Sequence, residues 1–181
     1  MTIVLTLLLV NAVLGAWDTL WYHEYRARLA QRIEHTATEL KLHAARDAIY
    51  SVIYLVLSSW RPGGWLVAAL GLVLAGEIAI TLTDFVIEDR DRPAIGGIAK
   101  GERILHTLMA IVYGAMLAQL IPRLLKAWAE PTRLVAHGAP AWMSVAMIVV
   151  AVGIAASGIR DAVAVLWGRA GHRSYPFSSH P

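Results

Sequence analysis

Cysteine is missing altogether from the 181-residue chain. That excludes thiolate metal sites, thiol catalysis and a disulfide framework. Charge is sparse too. Asp, Glu, Lys and Arg make up 16% of the residues, against about 25% in soluble domains. No glycine-rich phosphate loop, no Ser-His-Asp order and no nucleic-acid module occurs in the sequence. The H-x-x-x-H boxes of membrane hydroxylases and desaturases are also absent. No flavin or iron–sulfur motif is visible, so any electrons would have to come from a redox partner.

What fills the chain is apolar. The AVILMFWYC residues amount to 57% and the mean hydropathy is +0.56. A soluble globule of this size could not cover so much apolar surface, which implies an integral membrane protein. The runs are continuous rather than alternating, so they predict helices and not a β-barrel. Five are long enough to span, at about 3–25, 36–60, 64–88, 103–122 and 140–168. The breakers between them include Arg61-Pro62-Gly63-Gly64 and the charged run Glu88-Asp89-Arg90-Asp91-Arg92-Pro93. The expectation is an all-α helical bundle over 1–170, followed by a disordered cytoplasmic tail over 171–181. The N-terminal run lacks a basic n-region and reads as a retained helix.

Lys and Arg concentrate after the first and third runs: Arg26, Arg28, Arg32, Lys41 and Arg46, then Arg90, Arg92, Lys100 and Arg103. The positive-inside rule then places the N-terminus outside and the C-terminus inside, in a membrane of the bacterial inner type. The net charge of +3 reads as cationic loops facing anionic lipid, not as a nucleic-acid surface.

The ionisable residues within the runs are not scattered. On the second helix Glu39, His43, Asp47, Tyr50 and Tyr54 share an arc of about 80°, and on the third Glu77, Thr81, Asp84 and Glu88 share about 60°. The fourth carries Glu102, His106 and Tyr113, the first Asp18 and Tyr22, and the fifth Ser157 and Asp161. Measured from the inner ends, nearly all the acids and histidines come to similar depths. Carboxylates crowded in hydrocarbon repel one another, so protons or cations must neutralise them.

Spacing points to metal. Glu39-Leu-Lys-Leu-His43 and Glu102-Arg-Ile-Leu-His106 both place an acid and a histidine one turn apart on one face. The pattern resembles the ligand logic of di-iron carboxylate bundles, although those use Glu-x-x-His and the spacing here is longer by one. The expected ligands are Glu39, His43, Glu102 and His106, with Glu77, Asp84 and Glu88 bridging or completing the shell. Asp18, His23, Arg46, Asp47, Tyr50, Arg103, Tyr113 and Asp161 are expected to orient the ligands and balance charge. Taken alone, His23 and Glu24 read as an interfacial histidine and a surface charge.

Together these features predict a membrane-embedded metalloenzyme. Its cofactor would be two metal ions, iron first, with zinc or manganese as alternatives. It would be an oxidase, oxygenase or desaturase acting on a lipid-like or quinol substrate drawn from the bilayer. The alternatives are a zinc-dependent lipid hydrolase, a proton or metal-ion transporter, and a b-type haem subunit.

Overall fold

The computed structural model describes the backbone of residues 1–173 and the side chains of residues 1–168. Five helices carry the fold. They are α1 (Thr2–Trp17), α2 (Ile33–Ser59), α3 (Leu66–Asp91), α4 (Lys100–Ala127) and α5 (Ala141–Arg173). Of the tail expected over 171–181, residues 174–181 lie outside the described residues.

Among the described residues, four stretches are long and apolar enough to cross a membrane: Thr2–Gln31, Leu66–Ile95, Lys100–Ala127 and Ala141–Gly168. They point to an integral membrane protein. Their outer surfaces agree, since Val13, Leu72, Val86, Val149 and Leu166 are all well exposed. The second helix is long enough at 27 residues but carries Glu34, Glu39, Lys41, Arg46 and Asp47 between its start and its middle turn. It runs along α5 and α3, while α1 runs along α4. Tight backbone approach joins α2 to α5. A Cβ added at Gly158 would stand 2.8 Å from that of Asp47.

Three details depart from the expected boundaries. First, α1 does not end as an α-helix. It continues as a π-helical segment, Asp18–Ala27, that stops where Arg28 adopts a left-handed φ of 52°. Second, α4 runs through Pro122 to Ala127. Pro122 lies on an exposed face, where its missing N–H and its ring are least costly. Third, the loops after α2 and α4 form a short antiparallel ladder, β1 (Trp60–Pro62) with β2 (Leu134–Ala136), Arg61 facing Val135.

The interior has two zones. Around the β-ladder end the core is apolar, built from Leu5, Leu8, Ile53, Leu57, Met116 and Met143 among others. The Tyr54 hydroxyl donates to the Leu8 carbonyl at 2.6 Å there. At the opposite end, histidines, carboxylates and arginines occupy the interior. A small apolar group of Leu29, Leu40 and Val165 lies nearby, with Ile33 and Ile95 packed against it.

Candidate metal centre

Antiparallel helices bring the late turns of α1, α3 and α5 together with the early turns of α2 and α4. Asp18, His23, Glu39, His43, Asp84, Glu88, Glu102 and Asp161 are each at most 4% exposed at this end. So many buried ionisable groups in one place demand compensating partners.

Arg92 supplies the central one. A 3-10 turn, Arg92–Ile95, follows α3 directly, and the Arg92 side chain is buried. Its Nε donates to both oxygens of Glu39 at 3.0 and 2.9 Å, and its Nη2 donates to Glu39 at 2.7 Å. Nη2 also reaches Glu102 at 3.0 Å. The other Glu102 oxygen accepts from the Ala99 backbone N–H at the start of α4, at 3.2 Å. Both carboxylates are therefore fixed while lone pairs remain for another partner, because an ionised carboxylate offers about four acceptor sites. On the far side, Arg46 donates to Asp84 at 2.9 Å, and that same Asp84 oxygen stands 3.2 Å from His43 Nε2. Asp161 stands 3.9 Å from His43 Nδ1 and accepts from Arg160.

The three histidines form the middle of the cluster. His23 stacks on His43, with ring centroids 4.8 Å apart and planes 8° from parallel. His106 stands edge-on to His23 at 6.4 Å and stacks on Phe85 at 5.4 Å. Two parallel imidazoles this close would repel if both were cationic, and an imidazole nitrogen that carries no proton is a metal ligand. His106 Nε2 lies 3.0 Å from Asp18, and its Nδ1 lies 3.5 Å from Glu88.

Two sets of ligand atoms converge. Asp18, His23, Glu102 and His106 form one, and His23, Glu39, His43 and Glu88 form the other. Within each set the atoms lie no more than 4.8 Å from one another. Three buried atoms on these residues, His23 Nε2, His43 Nε2 and Asp18 Oδ1, complete no well-aligned hydrogen bond among the described residues, although His43 Nε2 stands 3.2 Å from Asp84 and His23 Nε2 3.4 Å from Asp18. Buried polar atoms are rarely left so.

Comparison with protein-family models, curated proteins and solved structures returns no match to this chain.

Of the residues expected to ligate, Glu39, His43, Glu88, Glu102 and His106 all fall in the two sets. Asp84 is in the cluster but outside both sets, engaged by Arg46 and His43. Glu77 is elsewhere. It lies two turns away along α3, about 10 Å by helix rise, where it accepts from Tyr50 at 2.7 Å and Thr81 at 2.8 Å. Tyr113 belongs to that neighbourhood, its ring edge-on to Tyr50. Asp47 packs against α5 at Gly158, and Asp161 backs His43. Arg103 is exposed and pairs with Asp89 on the surface. Asp18 and His23, expected at the margin, are central. Arg92 closes the charged run that breaks the third and fourth helices, and nothing in that run signals that its last arginine turns inward.

Proposed function

We propose that this chain is a membrane-embedded metalloenzyme whose histidine–carboxylate cluster holds a pair of metal ions. The observation that carries the reading is the convergence of two sets of buried ligand residues in which His23 Nε2, His43 Nε2 and Asp18 Oδ1 complete no hydrogen bond among the described residues. The sets share His23. One imidazole nitrogen binds one ion, so the other ion has three protein donors and an open position, as catalytic metals usually do. Oxygen and imidazole donors suit iron, manganese or zinc. Arg92 and Arg46 would hold the ligating carboxylates and their neighbours in place, since outer partners of this kind orient ligands.

The remaining architecture supports the same reading. In it α2 is the fifth span. Its charged half faces the cluster, and its apolar half adds Ile53 and Leu57 to the core. With the N-terminus outside and the C-terminus inside, the cluster lies in the inner leaflet of a bacterial-type membrane. The apolar core at the opposite end offers an ion no polar route across, which disfavours a transporter. The substrate is a membrane-dissolved molecule, lipid-like or a quinol. If the chemistry is oxidative, a separate protein supplies electrons.

The test is elemental analysis of protein purified from metal-replete cells, with a visible spectrum. About two transition-metal ions per chain are expected, the number the two ligand sets provide. His43→Ala and His106→Ala should each lower that content. A wild-type protein with no stoichiometric metal would show that the arginines and histidines balance the carboxylates by themselves.

A further inference from the structure

The centre opens into a cavity of about 700 Å³, well beyond what metal ions need and within the range of small-molecule sites. Asp18 and His106 line one end of it, and Leu9 and Leu117 line the other. From His106 to Leu117 it follows α4 for about 16 Å. Its walls are mostly aliphatic, with a few polar groups among them.

Those polar groups are incompletely satisfied. The Tyr113 hydroxyl, beside Glu77, and Asn11 Oδ1 line the cavity, buried, and complete no hydrogen bond among the described residues. Tyr113 is 8% exposed and Asn11 7%. Glu77, also in the wall, takes both of its hydrogen bonds, from Tyr50 and Thr81, on Oε1. Its Oε2 is left to accept from a further donor. A carboxylate that accepts and a phenol that donates match one functional group well. A hydroxyl can donate to Glu77 and accept from Tyr113 at once.

Exposed residues border the cavity between α3 and α4. On α3 its rim is Ile78 and Leu82, the latter 59% exposed. On α4 the rim is Ala110 and Gly114, both exposed. Nothing lies within 4 Å of where a Gly114 Cβ would stand. The seam between α3 and α4 is therefore bordered by small or flexible groups, with few close approaches between the two helices.

We infer that this cavity binds a membrane-dissolved molecule through a hydroxyl group held between Tyr113 and Glu77, admitted through the α3–α4 seam. The inference rests on the metalloenzyme reading only in taking the occupant as substrate, whose remainder would extend toward His106 and Asp18. The hydroxyl could belong to a long-chain alcohol or to a hydroquinone, and the experiment separates them.

Protein in phosphatidylcholine nanodiscs is exposed to a photoreactive long-chain alcohol and to a photoreactive alkyl hydroquinone. Each probe is paired with its O-methylated form. Wild type should be labelled about tenfold more by the hydroxyl form of at least one pair, the discrimination expected of one hydrogen bond to a charged group. The favoured pair identifies the source. Tyr113→Phe and Glu77→Gln should each bring that ratio toward unity, and Gly114→Leu should reduce labelling by both members of the pair. Equal labelling by hydroxyl and methylated forms in metal-loaded wild type overturns the hydroxyl site. Undiminished labelling of Gly114→Leu overturns the entrance. A hydroxyl preference in a wild-type protein without metal upholds the site while the metalloenzyme reading fails.

Discussion

A guanidinium that is 1% exposed and grips two carboxylates is strongly committed to its place. Removing one partner of such a buried group leaves the others uncompensated, at about 3–5 kcal/mol. Arg92→Met should therefore lower unfolding stability by that order and reduce metal content, because Glu39 and Glu102 lose what orients them. Adding Glu39→Gln to Arg92→Met should restore part of the stability, since it removes an unpaired charge. A thermal unfolding series on the three proteins reads both effects. Glu77→Gln should behave differently. Glu77 is held by Tyr50 and Thr81, away from both ligand sets, so metal content should stay at the wild-type level. A fall would return Glu77 to the ligand shell, where the helical stripe alone had put it. The stripe on α3 was a good guide to burial but a poor one to proximity, because it extends along the helix axis and the cluster does not. For His23 the helical period was itself the obstacle. At about 100° per residue, five residues turn through some 140° beyond a full circle, which puts His23 off the face of Asp18.

The element that resolves this is the π-helical segment Asp18–Ala27. A π-helix bonds i to i+5, so residues five apart stack on one face, and such segments concentrate at functional sites. Here the wider turn delivers both Asp18 and His23 to the first ligand set. Inserting one alanine after Leu20, which is 66% exposed, sets Asp18 and His23 six positions apart and should swing His23 off the Asp18 face by about 120°. Metal content should drop while helix content by circular dichroism stays near wild type, because Val4, Leu5 and Leu8 still anchor α1 in the apolar core. Retained metal would show that the π-turn is not what places the ligands. Four of the helices are legible as long apolar runs, and the i, i+4 Glu/His pairs on α2 and α4 are legible as spacing. The ladder of β1 and β2 was not, since two three-residue strands so far apart carry no periodic signal. Topology is testable at the same scale. Single cysteines replacing Gln31 and Ala94, both exposed in the loops near the cluster, should resist an impermeant thiol reagent in intact cells. One replacing Arg133, exposed beside β2, should react. The reverse pattern would put the cluster in the outer leaflet.

Seen as a whole, the molecule sets an apolar half against a half rich in opposing charges. In the polar half Asp18, Glu39, Asp84, Glu88, Glu102 and Asp161 outnumber Arg46, Arg92 and Arg160, and Arg160 is shared with Glu24. Neutral histidines would leave this zone anionic in a low-dielectric setting, so the native fold should gain from bound cations. A ligand that binds only the native state adds stability by mass action, about 4 kcal/mol when present at a thousand times its dissociation constant. For a chain of this length each kcal/mol moves the melting temperature by about 2–4 °C. Stripping the metal with a chelator should therefore lower Tm by about 10 °C, and adding back the metal found in the purified protein should restore it. His43→Ala and His106→Ala, having lost ligands, should show a much smaller chelator effect than wild type. An unchanged wild-type melting curve on chelation would mean that protonated histidines and the three arginines already neutralise the carboxylates, and the cluster would then be a packing device rather than a metal centre.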